Sequence, residues 1–234
     1  MSGLRSPIAL IKHVRVENLS VSYPGGAKAL DSISLELEPG IYVLVGPNGA
    51  GKTTLLDVLA GIRVPSKGRV VLNDTTSFYG LDERTRASIR RETIAYMLQE
   101  DIFIEYLNVI ENIMLFRNII NIPTETVNDL MMKLGIYGLR NKPVTELSGG
   151  EKKKVNFIRS YIKALTSSLV LLDEPTSNLD WESTETVREL IRELNTGERI
   201  IVIATHDIKL LELGDSIVEL RAGKLEKITK KHNI

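Results

Sequence analysis

The segment richest in chemistry is Gly46-Pro47-Asn48-Gly49-Ala50-Gly51-Lys52-Thr53-Thr54. Its spacing of Gly, four residues, Gly, Lys and Ser/Thr is that of a phosphate loop. The glycines let backbone N–H groups close around phosphate oxygens, and a helix starting at the end of the loop adds its partial positive charge. Lys52 can then reach the β- and γ-phosphates of a nucleoside triphosphate, with the Thr53 hydroxyl placed for Mg²⁺. A second group is the acidic pair Asp173-Glu174. Asp173 follows four aliphatic residues that anchor its backbone, so its carboxylate projects at a sheet rim and suits the Mg²⁺ shell. Glu174 beside it can orient or deprotonate an attacking water. A third is Leu147-Ser148-Gly149-Gly150-Glu151, where Ser148 suits an N-cap and the glycines free the backbone to approach an anion. Alone, the acidic pair could be a helix cap and Ser148 an ordinary one; beside a phosphate loop both acquire a chemical reading. One triphosphate rarely needs two helix N-termini. Either both converge on it within a chain, or each chain lends one to its neighbour's nucleotide.

These groups must be held by strands. Ile41 to Val45, Leu169 to Leu172 and Ile200 to Thr205 are short apolar runs, each ending in a candidate motif, the last in His206-Asp207. Such runs read as strands of a parallel sheet buried on both faces, and ligands sit beyond the carboxyl ends of such strands. Val14, Val16, Leu19 and Val21, then Ile33, Leu35 and Leu37, alternate with polar residues as half-buried antiparallel strands do, and Val70 to Leu72 adds another. Val109, Ile113, Phe116, Val127, Leu130, Met131 and Leu134 recur instead at helical spacing. The expected fold class is α/β: a phosphate-loop core with a parallel sheet, a small antiparallel β-subdomain and an inserted α-helical subdomain. Within a single domain at 8–225, residues 14–98 and 166–225 form the core and 99–165 the helical insertion; 226–234 is a short tail.

The whole chain narrows the classes further. Its 234 residues can bury a substantial core. Lys plus Arg and Asp plus Glu stand at 30 each, so bulk charge argues neither for nor against nucleic acid; the basic tail Lys230-Lys231-His232 reads as a solvated end, and no nucleic-acid partner is expected. The absence of cysteine excludes disulfides and thiolate metal sites and suits a reducing cytosol. Ile8 to Ile11 is too short for a signal peptide, and nowhere do about 18 uncharged apolar residues follow one another.

Together these motifs resemble the ATP-binding-cassette (ABC) ATPase family over about Val14 to Leu225, in the family's order and at its usual separations. Gly46 to Thr54 is similar to the Walker A loop, Leu169 to Glu174 to the Walker B strand with its catalytic glutamate, and Leu147 to Glu151 to the signature sequence. Gln99 falls at the Q-loop, Ser177-Asn178-Leu179-Asp180 at the D-loop and His206 at the switch histidine; Tyr23 matches the aromatic residue that stacks on adenine. The resemblance implies ATP and Mg²⁺ as ligands and a head-to-tail pair of cassettes, homodimeric or heterodimeric. Ser148, Gly149 and Gly150 of one chain would then meet the γ-phosphate held by the other. Gln99 would join the Mg²⁺ shell, His206 would contact the γ-phosphate, and Asp180 would line the seam. Trp181, directly after that element, is expected to pack along its helix.

Three departures stand out. Glu151 replaces the more usual Gln, with Lys152, Lys153 and Lys154 expected to offset its charge. Leu98 precedes Gln99 where many members have proline, and Thr166-Ser167-Ser168 replaces a short Asp-Pro link. A single cassette without a fused membrane span implies the nucleotide-binding subunit of an ABC transporter, peripheral on the cytoplasmic face of the membrane. It would work through separate transmembrane subunits without touching the solute. The alternative is a soluble ATPase of an iron–sulfur cluster assembly machine.

Overall fold

A computed structural model of the chain describes residues 10–120 and 122–231, excepting the side chains of 116–120. Residue 8, where the domain is expected to begin, the side chain of Phe116, and His232 lie outside the described residues. The three apolar runs form β3 (Gly40–Val45), β7 (Leu169–Asp173) and β8 (Ile200–Ala204). With β6 (Ile94–Met97), β9 (Ser216–Arg221) and β10 (Lys224–Lys230) they make a six-stranded sheet ordered β10-β9-β3-β8-β7-β6. Every pairing is parallel except the β9–β10 hairpin. Ala204 pairs with Leu44 on one side and Asp173 on the other, so β3, β8 and β7 end almost level. That register brings the phosphate loop, the acidic pair and His206 to one edge.

The continuous apolar runs are explained by burial on both faces. Val170, Leu172, Ile201 and Ile203 face one hydrophobic cluster, and Leu169, Leu171, Ile200 and Val202 the other. The first cluster is completed by α3 (Val109–Ile120), α4 (Thr124–Lys133), α5 (Gly149–Ala164) and α6 (Trp181–Leu194). The second is completed by α1 (Lys52–Leu59) and an antiparallel sheet ordered β2-β1-β4-β5, from β1 (Val14–Ser22), β2 (Lys28–Leu37), β4 (Lys67–Leu72) and β5 (Thr76–Ser77). Each fully buried Leu or Ile in these layers contributes about 1.5–3 kcal/mol, which sets the strand ends firmly. A short α7 (Ile208–Leu211) follows the histidine loop and is anchored by Leu210.

Helix α5 ends at the Thr166-Ser167-Ser168 link, where hydroxyls do the tying. Ser167 Oγ donates to the Lys163 carbonyl at 2.9 Å, and Ser168 Oγ accepts the Ile11 N–H at 2.8 Å. β5, α7, β9 and β10 had no counterpart in the sequence reading, nor did two further elements. Helix α2 (Glu83–Thr93) buries only Ile89 and Thr93, so it shows no apolar stripe; its signal was the cap, Asp82 accepting the Thr85 N–H at 3.0 Å. Strand β6 is four residues at the sheet edge, too short for a period to show. The C-terminal strand also runs past Leu225 to Lys230, because Ile228 pairs with Val218 in the hairpin.

Candidate functional site

After Val45 the backbone turns through Gly46 at φ 147°, where a Cβ would lie 2.1 Å from the Leu220 carbonyl oxygen. At Gly51, φ 103°, a Cβ would lie 2.6 Å from the Ala29 oxygen. Neighbouring backbone presses on the loop at both points, so only glycine fits. Gly51 is the N-cap of α1, and no side chain caps the helix's first N–H groups. Lys52 is buried, its Nζ donating to the Gly46 carbonyl at 2.7 Å and the Pro47 carbonyl at 3.3 Å. The ammonium therefore sits inside the curl of its own loop. A cavity of about 520 Å³ opens there, lined by Asn48 to Thr54 with Tyr23, Gln99, Asp173 and Glu174.

Asp173 is 1% exposed, and its Oδ2 is buried without a hydrogen-bond partner among the described residues. Burial pushes its carboxyl up from the ordinary range; the Thr53 hydroxyl bonded to it pulls the other way, and the charges of Glu174 and Asp57 add to the rise. A buried carboxylate oxygen lacking a donor is a site for a cation. Thr53, Gln99 and Asp173 supply hard oxygen donors at one wall of the cavity, and no cluster of three or more His, Asp or Glu forms a cage among the described residues. That set fits Mg²⁺, which is commonly held by one or two carboxylates together with substrate phosphates.

Glu174 is held from three sides. Its backbone, at φ 47°, donates to the Ala204 carbonyl at 2.8 Å. Its Oε1 lies 3.0 Å from His206 Nδ1, and its Oε2 accepts from the Thr205 hydroxyl at 3.3 Å. Thr205 Oγ1 in turn accepts the Asp207 N–H at 3.0 Å, and Asp207 Oδ2 accepts from Thr176 at 2.9 Å. The Glu174 side chain is 11% exposed while that of His206 is 78% exposed. A fixed carboxylate thus meets an imidazole reaching into solvent, an arrangement able to orient a water or take its proton.

Tyr23 stands at the cavity mouth, its hydroxyl 3.2 Å from Thr54 Oγ1 and the Arg63 guanidinium 4.9 Å from its ring centroid. Arg63 pairs with Asp57 at 3.4 Å, and Asp57 accepts from the Tyr96 hydroxyl at 3.0 Å, so one face of the Tyr23 ring is backed by a fixed network.

Ser148, Gly149, Gly150 and Asp180 do not line this cavity. Ser148 caps α5 in a full capping box, accepting the Glu151 N–H at 3.3 Å while Glu151 Oε2 accepts the Ser148 N–H at 2.7 Å. Asp180 caps α6 by accepting from Ser183. The expected lysine offset for Glu151 holds for Lys154, joined by Lys142, while Lys153 is turned elsewhere. Lys153 is 2% exposed, donating to the Gln99 carbonyl at 2.9 Å and pairing with Asp101 at 3.3 Å; Lys154 pairs with Asp180 at 3.6 Å. Asn156 reinforces the first contact through the Leu98 carbonyl and Asp101. Trp181 also departs from expectation. It is 73% exposed, with Lys209 Nζ 2.7 Å from its ring centroid, because it lies on the outer side of the first turn of α6, whose Ser183 and Thr184 are the buried pair. The roles of Thr205 and Lys153 escaped the sequence reading; a polar residue closing an apolar strand was the only signal for the first, and nothing marked the contacts of the second.

Known proteins resemble this chain in sequence and fold. Residues 30–177 fit the protein family described as ABC transporter. The lipoprotein-releasing system ATP-binding protein LolD of Pseudomonas syringae is 35% identical over 218 residues, covering 89% of this chain and 94% of that protein. The putative hemin import ATP-binding protein HrtA of Staphylococcus aureus is 34% identical, covering 85% and 90%. An uncharacterized ABC transporter ATP-binding protein of Mycobacterium bovis is 33% identical over 90% of this chain, which spans only 65% of that relative's length. Among solved structures, the dimeric post-hydrolysis state of the ATP-binding cassette MJ0796 with ADP and Pi superposes with a TM-score of 0.84 at 25% identity, covering 94% of this chain and all of that one. On the family match and the cassette fold, this chain belongs to the ABC transporter family and carries its ATP-binding cassette.

Proposed function

We propose that this chain hydrolyses ATP to ADP and phosphate as the ATP-binding subunit of a transporter, driving solute movement through separate transmembrane subunits. The observation that carries this reading is the cavity in which Lys52, Thr53, Gln99, Asp173 and Glu174 converge at level strand ends. The loop N–H groups and Lys52 bind the β- and γ-phosphates, and Tyr23 offers the adenine its ring face opposite Arg63. Thr53, Gln99 and Asp173 hold Mg²⁺, which when bound offsets phosphate charge. Glu174 orients the attacking water and accepts its proton, while His206 turns from Glu174 toward the γ-phosphate and supports the charge that develops there.

Ser148, Gly149 and Gly150 act on the nucleotide of a second cassette, in a head-to-tail pair with Asp180 at the seam. Support comes from their place outside the chain's own cavity and from the dimeric state of the similar cassette. Transmembrane subunits dock beside Gln99, where a groove of about 440 Å³ runs between α2, β6 and α5 with Tyr96 and Leu98 in its wall. Among the described residues no helix is long and apolar enough to cross a membrane, in keeping with a subunit peripheral on the cytoplasmic face. The test is phosphate release by the purified chain with MgATP, followed by purification from detergent-solubilised membranes. Release that Glu174→Gln abolishes, and a multi-span protein recovered in equal amount, are the expected results; release unchanged by Glu174→Gln would overturn the catalytic assignment.

A further inference from the structure

Trp181 is the sole tryptophan of the chain, and it is exposed at the start of α6. Its ring is not loose: Lys209 Nζ lies 2.7 Å from the ring centroid, and Glu185 holds the same ammonium at 3.2 Å. Ile208, next to that lysine in sequence, is 75% exposed. A large indole seated on a fixed cation, beside an exposed isoleucine, is the composition of an interface anchor.

Its surroundings say which partner it meets. Trp181 follows Asp180, which pairs with Lys154 of α5 at 3.6 Å. One turn earlier on α5, a Cβ on Gly150 would lie 2.9 Å from the Asn178 carbonyl oxygen, so the signature segment and the loop leading to Trp181 touch. On its other side, Ile208 and Lys209 border a cleft of about 460 Å³ that also takes in Glu174, Asn178 and His206. Trp181 therefore belongs to the stretch of surface linking the signature segment to the catalytic edge. In the head-to-tail pair proposed above, on which this step rests, that stretch is the one turned toward the other cassette.

We infer that Trp181, backed by Lys209, is an anchor of the interface between two copies of this chain and becomes buried against the second copy when ATP draws the pair together. The residue acts on neither the nucleotide nor the attacking water; its work is to hold the closed pair.

Because the chain has one tryptophan, its emission reports this burial directly. The Glu174→Gln chain, expected to bind ATP without turning it over, is titrated in protein concentration with MgATP while light scattering follows mass and acrylamide quenching follows the indole. Doubling of mass with a matching blue shift and loss of quenching, both tracking protein concentration rather than ATP alone, is the expected result. Doubling of mass with an unaltered indole overturns the inference, leaves the paired reading intact and hands this surface to a different protein. Mass that never doubles overturns the paired reading and the inference with it. Adding Trp181→Ala to the Glu174→Gln chain is expected to raise the dimer dissociation constant about tenfold or more. An unchanged constant, in a variant whose unfolding matches its parent, also overturns the anchor.

Discussion

Helices α1 and α5 both begin at glycine-rich turns, yet no side chain caps the first N–H groups of α1, while Ser148 and Glu151 close the start of α5. At α1 the N-cap is a left-handed Gly51, and the freed donors open on a cavity shared with Lys52 and two carboxylates. Those donors wait for phosphate, since orphan N–H groups at a helix start are satisfied by a ligand when no cap is present. At α5 two donors are already partnered, the Glu151 N–H by the Ser148 hydroxyl and the Ser148 N–H by Glu151, and a phosphate taking the Ser148 N–H must displace that carboxylate. The first terminus is left uncapped and open; the second carries its own cap, so that an anion there competes with Glu151 for part of its contacts. That difference suits a chain whose own nucleotide stays in place while its hold on a neighbour's nucleotide comes and goes.

The comparison breaks most visibly at α1. Lys52→Met is expected to lower phosphate release by about 10²-fold or more, because the ammonium at the focus of the loop has no substitute. Next is a mixing test. A Lys52→Met chain and a Ser148→Arg chain, each inactive alone, are expected to recover part of the turnover together, since one composite site keeps an intact loop and an intact signature. A mixture as inactive as its parts would place the signature on its own chain's nucleotide. Thr205→Val removes the hydroxyl that fixes Glu174 Oε2, and the loss of one buried hydrogen bond is expected to lower kcat about tenfold with KM little changed. Ser148→Ala is expected to cost about 1 kcal/mol in unfolding experiments, the ordinary penalty for a lost cap. The smallest effect is a pH dependence. The Ser148 N–H holds the Glu151 carboxyl below its usual range, so its stabilising contact is present above the ordinary carboxylate pKa and is lost as pH falls through the lowered one. Unfolding midpoints of the parent and of Glu151→Ala should therefore differ near neutrality and converge in acid.

Much of the α1 site was legible because its requirements are local. Gly46 and Gly51 are forced by backbone contact, Lys52 by the reach of one side chain, and Asp173 by the end of a strand buried on both faces. Local requirements leave fixed spacings in a sequence. The surroundings of α5 left none. Lys153 read as one of three lysines offsetting Glu151, whereas Asp101 and the Gln99 carbonyl, more than fifty residues away in sequence, are the groups that hold it. Helix α2 is nearly all polar and lies on the sheet by Ile89, so no periodicity announced it. Trp181 was misplaced for the opposite reason: a large aromatic in a helix usually packs inward, and only the orientation of the first turn of α6 exposed it.

The Lys153 contact has a mechanical meaning. With Lys153 and Asn156 both fastened to the backbone around Gln99, the stretch that faces the chain's own nucleotide and the helix that starts at the signature form a single lever. A displacement of Gln99 cannot be absorbed locally, because a buried ammonium that lets go of its carbonyl and carboxylate pays a desolvation penalty of several kcal/mol. In a pair of such chains the two levers cross, each with its handle at one nucleotide and its tip at the other. Occupancy of one site would then be felt at the other through a rigid connection rather than through diffuse repacking.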